Sequence, residues 1–463
     1  MDVRIKFLGA AGTVTGSKYL IEIDEYRIMV DCGLYQGVKE LRLRNWDPFP
    51  VAPTTLDAII LTHAHIDHSG YLPRIFREGF EGNVHCTEPT EALLEIMLLD
   101  AGRLQEEEAA FARKKGYSKH TSPQPLFTEA DAKRVLPHIV SHPFHKEITM
   151  TEFVSVKFHH AGHILGASTV ELLIKGDQQE KTILFSGDLG PFHNPLHFSP
   201  EKHKKADIVL VESTYGNKTY ASEGIEQHLI ELVYETQEAG GCLIIPAFSV
   251  GRTQLLLYYF WKLLNEKKIP DWPVYIDSPM AISVTNLYKK FDSCHKLRDP
   301  EPGHKVFDHP NFNYVTHQSI SKSLNERKGH AIILSASGMV TGGRILHHLF
   351  HRLPNPKDRV LFTGYQAEGS RGRALIEGEK QIKIFGETVS VNAKIKTMEG
   401  LSAHADKNDL IEWLNGFESA PKLTCIVHGE QEGACSLSNH LHAQGWNTVV
   451  PTYLESIQLF QGI

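Results

Sequence analysis

Leu56-Asp57-Ala58-Ile59-Ile60-Leu61-Thr62-His63-Ala64-His65-Ile66-Asp67-His68 is the stretch whose reading decides the fold. Leu56 to Leu61 is short, aliphatic and partly β-branched, so it reads as a buried strand. The residues His63 to His68 then pack three imidazoles and a carboxylate into one short turn. Ligand-type side chains are thus delivered at the carboxyl end of a strand, on a loop held by a core. Neutral imidazole and carboxylate are the ligands zinc takes in hydrolytic sites. His63, His65, Asp67 and His68 offer more than one ion can readily use, because alternate residues point in different directions. A pair of ions sharing the loop is the natural reading. The bland alternative is a histidine-rich surface loop, which needs all four positions to be met by accident.

The same layout recurs along the chain. Tyr26 to Val30 ends at Asp31-Cys32-Gly33, Thr182 to Phe185 at Ser186-Gly187-Asp188, and Ile208 to Val211 at Glu212-Ser213-Thr214. Later, Leu243 to Ile245 ends at Pro246-Ala247-Phe248-Ser249, Ile332 to Leu334 at Ser335-Ala336-Ser337-Gly338, and Leu423 to Val427 at His428-Gly429-Glu430. Ligands gather outside the carboxyl ends of strands in α/β sheets, so this is an enzyme's layout. Between the strands, Glu88 to Lys115 and Gly251 to Lys267 have helical periodicity, and Thr128-Glu129-Ala130-Asp131 has the form of a capping box. Asp299 to His304 reads as a loop.

The candidate ligands lie before about residue 215 and after about residue 395, with uninterrupted strand–helix alternation between them. That separation predicts one domain inserted into another: 1–215 and 394–463 as the outer domain, 216–393 as the insert with its own parallel sheet.

A chain of 463 residues with 41% hydrophobic and 22% charged content is ordinary for a soluble globular protein, and long enough to bury large cores. The amino terminus enters strand-like sequence at once, and no apolar run reaches membrane length. Six cysteines without a CxxC pair read as reduced, mostly buried thiols, and the expectation is a cytoplasmic protein. A net charge of −7 argues against a partner held by bulk positive potential. Two divalent ions would instead supply positive charge at the one spot where a phosphate sits. With 27 histidines, most cannot be ligands; His120, His138, His142, His145, His159, His160, His347, His348 and His351 carry no comparable motif and read as surface or structural residues.

Further segments join the opening motif. Gly162-His163-Ile164-Leu165-Gly166 follows the strand Val154 to Phe158. Asp188 is a carboxylate able to bridge two ions, and Asp31 is placed to orient a ligand histidine through its second ring nitrogen. Ser402-Ala403-His404-Ala405-Asp406 and His428 complete the series. In this order the motifs resemble those of the metallo-β-lactamase superfamily, in its β-CASP branch of nucleic-acid hydrolases, along essentially the whole chain. The likeness is closest to prokaryotic relatives of the endonuclease subunit of the cleavage-and-polyadenylation specificity factor; Pro125 to Ala132 and Thr341-Gly342-Gly343-Arg344 add to it.

The resemblance implies an αββα metallo-β-lactamase sandwich with an inserted β-CASP α/β domain, a parallel sheet flanked by helices. It implies two zinc ions, one on His63, His65 and His163, the other on Asp67, His68 and His428, with Asp188 bridging and room for a bridging water. Asp31 and Glu212 stand behind these ligands. Catalysis falls to Asp67, Asp188, His404 and Glu212, with His404 as general acid oriented by Glu212. RNA-processing members of the branch carry histidine at the position of His428, whereas DNA-repair members carry valine, so the expected partner is single-stranded RNA, with no membrane and with homo-oligomerisation left open. Beginning and ending where it does, the chain is expected to lack the KH-type domains of archaeal relatives and the carboxyl-terminal domain of ribonuclease J. Glu368-Gly369-Ser370-Arg371-Gly372-Arg373 departs from the family's Thr-Leu-Gly-Arg, leaving open whether its extra arginine contacts RNA or is simply an exposed charge.

The expected activity is a zinc-dependent endoribonuclease that clamps the oxygens of an in-line displacement. Phosphate contacts are expected at Ser335, Ser337, Gly338, Gly342, Gly343 and Arg344, where backbone N–H groups and a helix start converge, and at Arg371 and Arg373. Competing readings are a 5′-exoribonuclease, a DNA nuclease, a small ester or thioester hydrolase, and a non-enzymatic scaffold subunit.

Overall fold

Aliphatic runs become strands wherever both faces can be covered. The run after Leu56 forms Ala58–Ile60, all three residues buried. It lies within a seven-stranded sheet ordered Ser456–Phe460, Val3–Phe7, Tyr19–Ile23, Tyr26–Val30, Ala58–Ile60, Asn83–Thr87, Ile139–His142. A second seven-stranded sheet is ordered Thr448–Val449, Leu423–Val427, Ile208–Glu212, Glu180–Phe185, Ser168–Lys175, Val154–His160, Ile148–Thr149. One apolar core joins them, with Phe7, Ile21, Val30 and Ile60 of the first sheet clustered with Phe158, Leu172, Phe185 and Leu210 of the second. Helix Glu88–Lys115 packs on the first sheet and Gln431–Ala443 on the second, completing an αββα sandwich. The capping box at Thr128 is present: its side chain accepts from Asp131 N, and the Asp131 carboxylate accepts from Thr128 N.

The computed structural model describes residues 1–115, 123–177, 179–220, 224–297, 305–364, 366 and 369–463; His120, the expected loop Asp299 to His304, Tyr365 and Glu368 lie outside the described residues. The chain divides into two compact units. The sandwich comprises Met1–Asn194, Phe198–Thr219 and His404–Ile463, and the second unit Pro195–His197 and Tyr220–Ala403.

The second unit holds a six-stranded sheet ordered Phe312–Tyr314, Val274–Ile276, Ile332–Ser335, Leu243–Pro246, Arg359–Phe362, Lys394–Thr397, parallel throughout. Leu243–Pro246, Ile332–Ser335 and Arg359–Phe362 are buried at every residue, which is why they read as unbroken apolar runs. Strand Lys394–Thr397 corrects the expected boundary at 393. It pairs with Arg359–Phe362, and its Lys394 and Lys396 reach Glu235 at 2.6 and 2.8 Å. The alternation Lys-Ile-Lys carries too little apolar signal to be assigned from sequence.

All six cysteines are free, four of them buried. No described helix is long and apolar enough to cross a membrane.

Candidate metal centre

The backbone divides the opening motif. His65 is extended (φ −55°, ψ 147°) and caps a one-turn helix, Ile66–Ser69. In extended chain, residues two apart face the same side, so His63 and His65 go together while Ala64 is buried behind them. The helical turn then redirects Asp67 and His68. Gly33 makes the turn possible: a Cβ there would lie 1.6 Å from Asp67 O. Cys32 N donates to His68 O at 2.7 Å and Ser17 N to Asp67 O at 2.8 Å, so the turn's carbonyls are satisfied.

Two sets of ligand-type atoms result. In the first, His65 Nδ1 is 3.2 Å from His63 Nε2 and 3.0 Å from His163 Nε2, and both Nε2 atoms are 3.5 Å from Asp188 Oδ2. In the second, His68 Nε2 and His428 Nε2 are 3.1 Å apart, and His428 Nε2 is 3.4 Å from Asp67 Oδ2. Asp188 turns its other oxygen, Oδ1, to His68 Nε2 at 3.2 Å. Gly190 admits the His163 loop; a Cβ there would lie 1.9 Å from Gly162 O.

The far nitrogens set the tautomers. His68 Nδ1–H donates to Asp31 Oδ2 at 2.7 Å. Thr62 Oγ1 donates to Asp31, so it accepts from His63 Nδ1–H at 3.0 Å. Thr214 Oγ1 donates to His428 O and accepts from His428 Nδ1–H at 3.1 Å. Each of these three imidazoles therefore turns its Nε2 into its set, the atom that a divalent ion would take in exchange for any proton there. Asp188 Oδ1 is buried and accepts no hydrogen bond among the described residues. Asp31 and His428 hold φ of +60° and +45°, strain of the kind that collects at functional sites. The donor set, the orphaned oxygen and the tautomers fit a divalent ion of the zinc type, and the cluster is capable of binding metal.

The electrostatics separate the two sets. Burial pushes His63 well down and His65 to about 4, so both are neutral, the ligand form. Burial would lower His68 too, but the Asp188 and Asp31 carboxylates overcome it and raise it well above its ordinary value. Burial would raise Asp188, but His428, His68, His404 and His63 hold it well below the carboxylate range.

His404 and Glu212 lie beside Asp188. Glu212 ends strand Ile208–Glu212, fully buried, and accepts from Leu189 N at 2.7 Å and Thr214 N at 3.3 Å. His404 Nδ1 is 3.3 Å from Glu212 Oε1 and 3.8 Å from Asp188 Oδ2. Burial would lower its pKa, yet Glu212 and Asp188 raise it to about 9.

Family comparison fits this geometry. Residues 11–227 match the metallo-beta-lactamase superfamily, 253–375 the Beta-Casp domain, and 388–451 a Zn-dependent metallo-hydrolase RNA specificity domain. Ribonuclease TTHA0252 of Thermus thermophilus is 34% identical over 98% of this chain and 100% of its own. The chain belongs to the β-CASP branch of the metallo-β-lactamase superfamily. As such it is a metal-dependent hydrolase. The transcription termination factor FttA of Methanocaldococcus jannaschii is 30% identical over 99% of this chain and 72% of its own length. A solved protein of unknown function from Enterococcus faecalis V583 has the same fold, with a TM-score of 0.58 and 16% identity over 99% of this chain and 100% of that one.

The phosphate candidates of the β-CASP unit have partners within the protein. Ser335 is buried and donates to Asp277 O at 2.8 Å. Arg344 reaches Asp277 Oδ1 at 2.6 Å and Val315 O at 3.0 Å. The reason is the buried Asp277 carboxylate, which takes Arg344, His348 at 2.7 Å and Ser321 at 2.6 Å as compensation. The helix start is internally satisfied as well: Ile345 N donates to Ala336 O and Gly342 N to Ser337 Oγ. Gly338 lies under the Phe248 ring and Gly343 against Ala336 O. Arg371 donates to Lys383 O and Arg373 to Glu377. Sequence reading missed Thr62 and Thr214. Thr62 had a local signal, because it adjoins His63, whose second ring nitrogen needs an acceptor; Thr214 had none, because it serves His428, far away in sequence.

Proposed function

We propose that this protein is a ribonuclease that hydrolyses phosphodiester bonds within single-stranded RNA at a centre of two zinc ions. The observation that carries the reading is Asp188, whose two oxygens face two separate sets of ligand-type atoms. Its support on the substrate side is the RNA specificity domain that spans His404 and His428, and the ribonuclease among the relatives.

His63, His65 and His163 would hold one ion, and Asp67, His68 and His428 the other, with Asp188 shared. Such a pair of ions supplies Lewis acidity at the phosphate and lowers the pKa of a water to about neutrality. The remaining work belongs to the protein. Asp31 and the hydroxyls of Thr62 and Thr214 fix tautomers, so that the ligand atoms need no reorganisation. Glu212, pinned by two backbone N–H groups, holds His404 through Nδ1. His404 then donates a proton to the departing 3′ ribose oxygen, which leaves as a neutral hydroxyl. The Glu212 and Asp188 carboxylates raise His404, so that it carries that proton at neutral pH.

The test pairs metal analysis of the purified protein with digestion of RNA labelled at either end. Two zinc ions per chain and internal fragments as first products are expected. Release of mononucleotides from the 5′ end alone would replace the endonuclease with an exonuclease.

A further inference from the structure

Away from the metal centre, the sandwich gathers histidines that the proposed chemistry does not use. His145 follows strand Ile139–His142, His160 ends strand Val154–His160, and Glu201 comes from the segment before Ile208–Glu212. A ring nitrogen from each histidine and a carboxylate oxygen of Glu201 lie within 4.8 Å of one another. His145 Nε2 is 2.7 Å from Glu201 Oε1. Glu201 is locked to His160 through the backbone in both directions: Glu201 N donates to His160 O at 2.9 Å, and Glu201 Oε1 accepts from His160 N at 3.0 Å.

We propose that His145, His160 and Glu201 form a further transition-metal site, separate from the metal centre, that takes a borderline divalent ion such as zinc or nickel. Two imidazoles and one carboxylate are the donors such ions prefer, with remaining positions left to water. A plain ion pair between His145 and Glu201 would account for two of the groups but not for the second imidazole. The His160 ring is held in place by stacking on Phe144, with centroids 3.9 Å apart, and by Phe198 at 5.0 Å. His159 lies 3.6 Å from Glu201 Oε2 and 2.9 Å from Glu171, steadying the carboxylate from behind. His145 takes φ +66°, a left-handed conformation that turns its side chain out of the chain's ordinary path. The side chain is about half exposed at 53%, so an ion can enter from solvent.

The site has a structural consequence. His160 stands three residues before His163, and the Gly162 backbone between them packs against Phe198 O. An ion here staples three separate segments at the root of the loop that carries His163. It therefore stabilises that loop without touching the reacting atoms.

The experiment compares the whole protein with His145→Ala and with Glu201→Gln, each stripped of metal and brought to equilibrium with zinc by dialysis. The expected result is one ion fewer per chain in each variant, together with a smaller rise in Tm on adding zinc. RNA hydrolysis by His145→Ala is expected to remain at the wild-type level. The difference between proteins is read, so the outcome does not depend on how many ions the metal centre itself holds. Equal zinc content in wild type and His145→Ala, a residue exposed enough not to threaten folding, overturns the proposal. A loss of more than one ion in that variant overturns it too, because the two places would then not be separate.

Discussion

Two buried polar clusters, one in each unit, handle charge in opposite ways. Around Asp277 the carboxylate is satisfied from within: Arg344, His348 and Ser321 all turn to it. Around Asp188 the Nε2 atoms of His68 and His428 face one another at 3.1 Å, and the buried Asp188 Oδ1 accepts no hydrogen bond among the described residues. The first carboxylate is matched by donors of its own unit, whereas the second lies among the donor atoms that suit a divalent ion. Histidine and aspartate in the interior therefore say little by their type. What tells a structural cluster from a binding one is whether its acceptors are met by donors of the protein.

The sharpest way to break this contrast is Asp188→Ala. It is expected to remove bound metal and abolish hydrolysis, as zinc content and RNA digestion will measure; two zinc ions still bound would refute its bridging place. Next in size is His404→Ala, expected to keep its metal and lose about 10²–10⁴-fold in rate. RNA with a 3′-bridging phosphorothiolate, whose sulfur leaves without a proton, should restore most of that loss. An unrelieved defect would mean that His404 positions the substrate instead.

Asp277→Ala probes the other cluster. Leaving Arg344 and His348 without their carboxylate should cost about 3–5 kcal/mol in denaturant unfolding, with zinc content unchanged. Lost zinc would erase the distinction between the clusters. The smallest effect is expected at Glu235, whose side chain is 29% exposed. Burial would raise its pKa, but Lys394 and Lys396 hold it at about 2, against an ordinary 4.5. A depressed carboxylate stabilises the fold above its unfolded pKa and loses that contribution as pH falls towards its folded one. Glu235→Gln should therefore destabilise by about 1 kcal/mol at neutral pH, and the difference from wild type should vanish between pH 4.5 and 2. A difference that persists at the acid end would assign Glu235 a packing role.

The opening motif was legible because a strand followed by His63, His65, Asp67 and His68 is a local signal, and so were the aliphatic strands and the capping box at Thr128. Strand Lys394–Thr397 was not, because its membership depends on a ladder to Arg359–Phe362 and on Glu235 far away in sequence. Arg344 shows the same dependence: glycines before an arginine at a helix start read as an anion cradle, and only the fold sets Asp277 beside it.

By itself, the sequence determined the types of ligand, their order and the strands that deliver them, because side-chain chemistry and hydrophobic period are written residue by residue. Only the tertiary structure decided which atoms meet. The sharing of Asp188 between two sets, the His428 tautomer fixed by Thr214, and the convergence of His145 and His160 on Glu201 all join residues far apart in the chain. Such encounters depend on how sheets stack and loops close, and no local pattern encodes them.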